Sequence, residues 1–351
     1  MCQCVPLSKM RVTTPAPRDV WLELLKSDPN AFVDQAPQSL DVIATLENCS
    51  DASRLYEFPD GVKIVLPLLR RKGLPLLLNV ERTPGFGGVI ASQPVSPEKL
   101  RSVFADLASR PLLQTIVSAS ALGREAWEAA APDGVAPLPR LAHVLDLAGG
   151  FETVWNERFN KQGRRAVRKA DKSNIDIDLD TTGRLIEPFY DLFLRSVNRW
   201  ASKSGEPAKV ARWRARRRDP LRRFRLMSEK LGDAFRIWGA RVDGKLAAAI
   251  IVLQGPNAHY TRGAMDKELA GPTRASFLLQ KLAIEDACKA GCRYYHMGQT
   301  GTSESLARFK SQFGATPRPY SEYCIERLPL AATKSRLHQL MKRIVASQAN
   351  R

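Results

Sequence analysis

Apolar residues along the chain fall into short runs and helical stripes rather than one long hydrophobic block. Residues 1–17 are polar and carry several prolines, and they read as a flexible lead-in. Trp21, Leu24 and Leu25 then repeat at helical spacing, and Pro29 limits that helix. Gly61–Leu69 (GVKIVLPLL) and Leu74–Val80 (LPLLLNV) are strand-length apolar runs separated by Arg70-Arg71-Lys72-Gly73, the pattern of a β-hairpin. Ser96-Pro97-Glu98 supplies an N-cap, an N1 proline and an early acid for a helix reaching Ser109. Leu113–Ala119 (LQTIVSA) restores a strand.

The pattern then begins again. His143–Leu147 (HVLDL) is a strand, and Gly149-Gly150 hinges into a basic helix containing Trp155, Phe159 and Val167. Asn174–Leu179 (NIDIDL) alternates as a half-buried strand does, because successive side chains point to opposite faces. Ile186–Trp200 is an amphipathic helix, and Arg212–Arg225 reads as an arginine-dense surface helix carrying Trp213, Leu221 and Phe224. Ala234–Ala240 and Lys245–Leu253 flank Asp243-Gly244, a strong hairpin signal, and Ala258–Met265 is a third strand. Thr273 is placed to cap a helix over 274–290 ended by Gly291, before the strand Arg293–Met297. Lys334–Arg351 spaces Leu337, Leu340, Met341, Ile344 and Val345 as a basic amphipathic helix, expected to pack on the protein in preference to a membrane.

Length sharpens this picture. At 351 residues the chain is long for one core, which predicts two domains, 18–140 and 141–330, between the lead-in 1–17 and a basic C-terminal helix 331–351. No apolar run approaches the ~20 residues that cross a bilayer, and no basic region precedes an apolar stretch at the N-terminus, so the expected location is cytoplasmic. Cysteines at 2, 4, 49, 288, 292 and 324 form no CxxC pair, and no metal site is expected.

Charge is the most informative part of the composition. Of the net +18, the segment Arg158–Arg236 contributes +12, from 22 Lys/Arg against 10 Asp/Glu. Such a field attracts phosphate-bearing ligands such as tRNA, nucleotides or coenzyme A, and also anionic lipid surfaces. A solvated basic face is the plainer alternative.

The stretch FLLQKLAIEDACKAGCRYYHMGQT followed by SLARFKSQFG resembles the FemAB-like branch of the GNAT superfamily, which includes the CelD-like acyltransferases. The shared elements are an apolar helix ending at Gly291, a strand ending in Gly298, and Phe309-Lys310 ahead of Phe313-Gly314. The HVLDL strand and Gly163-Arg164-Arg165-Ala166-Val167-Arg168-Lys169-Ala170 resemble the opening of the family's second half, while the first half matches in strand order and the Phe86-Gly87-Gly88 turn. The resemblance implies an α/β (α+β) fold of tandem GNAT-like domains, with mixed central sheets flanked by helices and the first domain degenerate. It also implies an acyltransferase that forms an amide bond on an amine acceptor. Fem-type members take an aminoacyl group from tRNA, so aminoacyl-tRNA is the expected donor and tRNA the expected partner; acyl-CoA, used by other members, is the alternative, and no bound cofactor is expected. A non-catalytic RNA- or nucleotide-binding module is the reading from another class.

By resemblance, Lys310 matches the family lysine near the transferring group and is the expected catalytic residue, stabilising the oxyanion; a surface lysine between two core phenylalanines is the alternative. Expected substrate contacts are Phe309, Gly298, Gln299, Trp200 and Arg262, the last a cation in an otherwise uncharged strand. Arg164, Arg165, Arg168 and Lys169 cluster within two helical turns and, with Arg274, are candidates for holding phosphates. His259 and His296 are possible bases ranked below Lys310. The usual GNAT pyrophosphate cradle, Q/R-x-x-G-x-G/A opening the central helix, is not met by Leu269-Ala270-Gly271-Pro272-Thr273-Arg274, where Pro272 removes an N–H. A literal match, Arg82-Thr83-Pro84-Gly85-Phe86-Gly87, is not followed by a helix. No sustained heptad run suggests the coiled-coil arm of cell-wall ligases, so a small metabolite, lipid precursor or natural-product amine is at least as good an acceptor.

Overall fold

A computed structural model describes residues 10–85, 87–301 and 303–327. The strands are β1 Arg11–Thr13, β2 Cys49–Asp51, β3 Arg54–Glu57, β4 Lys63–Leu66, β5 Leu69–Arg71, β6 Val80–Arg82, β7 Ile90–Ala91, β8 Gln114–Ser118, β9 Ala136–Asp146, β10 Asp176–Asp180, β11 Phe235–Val242, β12 Lys245–Gln254, β13 Ala258–Met265, β14 Tyr294–Gln299 and β15 Thr316–Glu326. The helices are α1 Arg18–Ser27, α2 Pro37–Glu47, α3 Pro97–Ser109, α4 Arg124–Ala130, α5 Gly150–Thr153, α6 Lys161–Asp171, α7 Ile186–Ser204, α8 Ala208–Arg218, α9 Leu221–Leu231, α10 Lys267–Thr273, α11 Ala275–Lys289 and α12 Glu304–Ser311.

One mixed sheet of eleven strands runs through both halves in the order β10-β11-β12-β13-β14-β9-β15-β8-β6-β5-β2, beside a four-stranded sheet β1-β3-β4-β7. The two halves join at β9 and β15, which pair antiparallel from Thr316↔Val144 to Cys324↔Ala136. Sequence patterning does not reveal β15, because Pro317 and Pro319 disguise it. They are tolerated where β15 pairs with β9 alone; its pairing with β8 begins only at Glu322. Strand β9 is longer than the HVLDL segment and continues across the expected 140/141 boundary.

Several local expectations change. Residues 11–13 form β1 against β3, so this part of the lead-in is ordered in the sheet. Arg70 and Arg71 belong to β5, which pairs with β6, whereas Leu76–Leu78 form a 3₁₀ turn whose leucines point to solvent. Pro75, with no N–H to donate, favours that turn over a ladder. In β10 the alternation holds with the opposite facing: Ile177 and Leu179 are exposed on an edge strand while Asp180 is buried, accepting from the Leu185 and Thr182 amides. The basic helix breaks at Phe159-Asn160, where the Asn160 side chain caps α6 by accepting from Gly163 N at 2.8 Å. Asp219-Pro220 divides Arg212–Arg225 between α8 and α9. Thr273 does not cap α11; its hydroxyl donates back to Leu269 O within α10, and Arg274 in left-handed geometry (φ 60°) is the cap residue. The expected helix over 331–351 lies outside the described residues.

Helices α6 and α11 cover one face of the C-terminal sheet, and α7, α8 and α9 the other. Val33 and Val42 from the N-terminal half belong to that second core, packing the 33–47 region against α9. This packing sets one half directly over the end of the other half's sheet.

Candidate active site

The parallel pair β13–β14 is bonded only through Ala258↔Tyr295 and His259↔His296. Beyond these pairs the strands part, and a β-bulge between Ile251 and Val252 of β12 leaves Thr261 as the extra residue of β13. A cavity of about 570 Å³ opens at this splay, walled by Asp34, Pro84 and Gly85 from the first half and by Trp200, Arg223, Arg262, His259, Gly298 and Lys310 from the second.

His259 is buried, and its Nδ1 lies 2.7 Å from Asp34 Oδ2. With Asp34 accepting from Nδ1–H, neutral His259 carries its basic electron pair on Nε2, the nitrogen on the Gly298 side. Asp34 is held there by backbone geometry. Asn257, fully buried, donates through Nδ2 to Pro29 O (2.8 Å) and Ala31 O (3.0 Å) while its Oδ1 accepts from Tyr294 N, clasping the 29–35 segment to the end of β12. Trp21 Nε1 donates to Gln35 O at 2.9 Å, and the Gln35 side chain accepts from Phe32 N. His296 stacks edge-on against His259 at 4.9 Å, and its Nδ1 accepts from Gly298 N. Burial, with His259 and Lys310 adding, keeps His296 well below the ordinary histidine range, so it is neutral at pH 7.

Lys310 comes from α12 and is only 1% exposed. Nζ donates to Gly298 O (2.8 Å), Gln299 O (2.9 Å) and Thr300 Oγ1 (3.0 Å), and Thr300 Oγ1 is in turn 2.7 Å from His143 Nδ1. Burial pulls Lys310 down to about 8, which still leaves it an ammonium at pH 7. All three of its protons have acceptors. In this arrangement Lys310 offers the cavity its charge, and a direct bond to a substrate oxygen requires giving up one of the three. The helix that carries it is fixed by a close approach: a Cβ at Gly163 would stand 2.2 Å from Gln312 O.

The opposite wall is cationic. Asp219, 1% exposed at its side chain, faces three arginines: Arg262 Nη2 at 2.8 Å, Arg218 Nε at 2.8 Å and Arg223 Nη1 at 3.6 Å. Burial raises the Asp219 carboxyl, but Arg262 above all, with Arg218 and Arg223, outweighs it and holds the group ionised. Three guanidinium groups against one carboxylate leave excess positive charge on a cavity wall, an environment suited to a phosphate or carboxylate.

Residues 157–311 match the family model described as an acetyltransferase (GNAT) domain. The crystal structure of FemX superposes with a TM-score of 0.69 at 13% identity, covering 94% of this chain and 99% of FemX. The chain thus has a FemX-like fold, and its segment 157–311 matches a GNAT domain. A conserved protein of unknown function from Bacteroides thetaiotaomicron shares that fold (TM-score 0.56, 10% identity, 92% of this chain and 97% of the other). So does the C-terminal domain of a putative lysylphosphatidylglycerol synthetase from Agrobacterium fabrum (TM-score 0.51, 9% identity, 90% and 93% covered). No curated protein matches the sequence. Among the described residues no helix is long and apolar enough to cross a membrane, and no cluster of metal-ligating side chains occurs.

Within this GNAT fold, Lys310, Gly298, Gln299, Arg262 and Trp200 all line the cavity. Phe309 does not; it packs with Phe277 and Phe313 at ring distances of 5.2 and 5.1 Å, on the core side of α12. The expected phosphate cluster is also not brought to the cavity. Arg164 spends its guanidinium on the carbonyls of Trp155, Asn156 and Phe159, the orphan acceptors of the preceding turn. Arg165, Arg168, Lys169 and Arg274 are exposed away from the lining. Asp34, Asp219, Arg218 and Arg223 carry no mark of the site in sequence, because nothing local signals that a carboxylate in the first half meets a histidine 225 positions away.

Burial of Lys310 makes a pH prediction. The fold disfavours its charged form, so the unfolded chain binds more protons between about pH 8 and the ordinary lysine value of 10.5. Wild-type stability relative to Lys310→Met therefore rises by up to about 3 kcal/mol as pH increases through that window. Urea unfolding of both proteins at pH 7 and pH 10 checks this; a pH-independent difference contradicts it.

Proposed function

We propose that the cavity is the acyl-transfer site of an aminoacyltransferase, which moves an aminoacyl group from tRNA to an amine acceptor. The observation that carries this reading is the union of a part-buried Asp34–His259 pair with the Lys310 ammonium at the splay of β13 and β14. The acceptor amine attacks the ester carbonyl carbon and loses its proton to His259 Nε2. The charge on the tetrahedral oxygen develops in the field of Lys310, whose Nζ–H now donated to Thr300 Oγ1 turns to that oxygen, leaving the Thr300 hydroxyl its contact with His143. As the amide forms, the C–O bond to the terminal ribose breaks, and His259 returns the proton to the departing oxygen.

Three features favour tRNA over CoA as donor. Helix α10, with Pro272 inside it, occupies the segment leading from β13 to α11, where a pyrophosphate loop would be needed. Arg82 of the RTPGFG segment is paired with Glu47, and Pro84-Gly85 folds beside Asp34 instead of opening a helix. Trp200, 47% exposed, stands at the cavity, while α8 presents Trp213 with Arg217 stacked at 5.6 Å, a basic and aromatic surface suited to an unpaired nucleic-acid end. The name of the Agrobacterium protein, a putative lysylphosphatidylglycerol synthetase, also lends support to aminoacyl chemistry on this fold. The Asp219-held arginines would take an acidic group of either substrate.

Binding of a mixed aminoacyl-tRNA pool and of acetyl-CoA, measured side by side across a salt series, tests the donor without knowledge of the acceptor. Saturable tRNA binding at physiological salt with none for CoA is expected. Micromolar CoA binding with only salt-labile tRNA attachment would replace this reading by an acyl-CoA-dependent N-acyltransferase.

A further inference from the structure

The connection between β5 and β6 has a composition that the catalytic reading does not use. It reads Arg71-Lys72-Gly73-Leu74-Pro75-Leu76-Leu77-Leu78, and the four leucines are 46, 41, 60 and 58% exposed in chain order. Large apolar side chains scattered singly on a surface need no explanation, but four in one turn form a contiguous patch. The turn is built rather than loose. Buried Asn79 donates through Nδ2 to Arg71 O (2.8 Å) and Leu74 O (3.4 Å), and the 3₁₀ turn closes through Leu78 N to Pro75 O and Asn79 N to Leu76 O. Lys72 N is tied to Asn48 O at 3.0 Å. Asn79 thus closes the base of the loop and the leucines stand out from it.

Charge identifies what covers them. Arg70 is engaged by Glu81, but the exposed Arg71 and Lys72 at the foot of the turn have no carboxylate partner among the described residues. Arg327 is tied near the same turn, its amide donating to Leu113 O while Leu113 N donates to Asn79 O, and the segment 328–351 follows it in sequence. That segment holds Lys334, Arg336, Lys342, Arg343 and Arg351 and no acidic residue. Like charge opposes its lying over Arg71 and Lys72, and adds to the attraction of both for an anionic surface.

We propose that the leucine turn is a docking element for an anionic lipid surface, with Leu74, Leu76, Leu77 and Leu78 entering the interface and Arg71 and Lys72 meeting the headgroups. Such pairing of an apolar wedge with a basic collar gives reversible attachment that depends on both terms. It requires no membrane-crossing segment and is independent of the acyl donor.

The test is co-sedimentation of the full chain with vesicles of pure phosphatidylcholine and with vesicles of equal parts phosphatidylcholine and phosphatidylglycerol, at low and high salt. The expected result is binding to the phosphatidylglycerol vesicles alone, weakened at least about tenfold by Leu77→Asp/Leu78→Asp and also by Arg71→Glu/Lys72→Glu. Because these side chains are exposed, the variants should keep wild-type melting temperatures, and removal of residues 328–351 should leave the leucine dependence in place. Wild-type-like binding by the double aspartate variant would overturn the proposal. So would a change from dimer to monomer in that variant, which would make the turn a contact between copies of the chain, or loss of all binding on removing 328–351.

Discussion

Replacing His259 by Asn is expected to lower kcat/KM for amide formation by roughly 10²–10⁴-fold, the ordinary contribution of a positioned general base. Asn keeps the volume and one polar contact to Asp34 but has no basic nitrogen at the Nε2 position. The wild-type rate should fall as Lys310 is neutralised at about 8, and the variant should keep this alkaline limb. Asp34→Asn should give a smaller loss in the same direction, since it removes the acceptor that fixes the ring and its tautomer. Steady-state kinetics of the three proteins, with a pH profile across the alkaline range, checks this; a His259 variant that keeps the wild-type rate would mean that another group takes the proton.

The second large effect is expected at Asp219. Its carboxylate is buried among Arg218, Arg223 and Arg262, so Asp219→Asn leaves three guanidinium groups without a countercharge. Removing one partner of a buried ionic network typically costs about 3–5 kcal/mol. The variant should unfold at distinctly lower urea concentration, and added phosphate or a carboxylate ligand should recover part of the loss by filling the cationic wall. Calorimetric melting of wild type and variant with and without phosphate reads both quantities. A variant as stable as wild type would show that the arginines are solvated and that this wall has no anion-selecting role.

Much of the C-terminal half is legible in the sequence because its signals are local. The Asp243-Gly244 turn between two apolar runs gives β11 and β12, and Gly291 ends the helix before β14. The lysine motif leads to Lys310, which lines the cavity. What local pattern does not carry is pairing at long range. The Asp34–His259 contact depends on Asn257 clasping a first-half segment, and β15 lies between β9 and β8 with two prolines in its own sequence. Arg164 shows the same limit from the other side, since its position in a basic cluster gives no sign that three carbonyls occupy it. The leucine turn departs from the strand its pattern predicts for a related reason: a run of apolar residues forms a strand only when something covers it, and Pro75 withholds a ladder donor.

The central claim, aminoacyl transfer from tRNA within this cavity, is tested most directly by following label. A pool of tRNA charged with radioactive amino acids is incubated with the protein and a low-molecular-mass extract rich in amines, and the product is examined for label stable to mild alkali, which cleaves esters and spares amides. Wild type should produce such a labelled amide, and His259→Asn should produce little. Label that appears only as free amino acid, together with acyl transfer when acetyl-CoA is supplied in place of tRNA, would contradict the account.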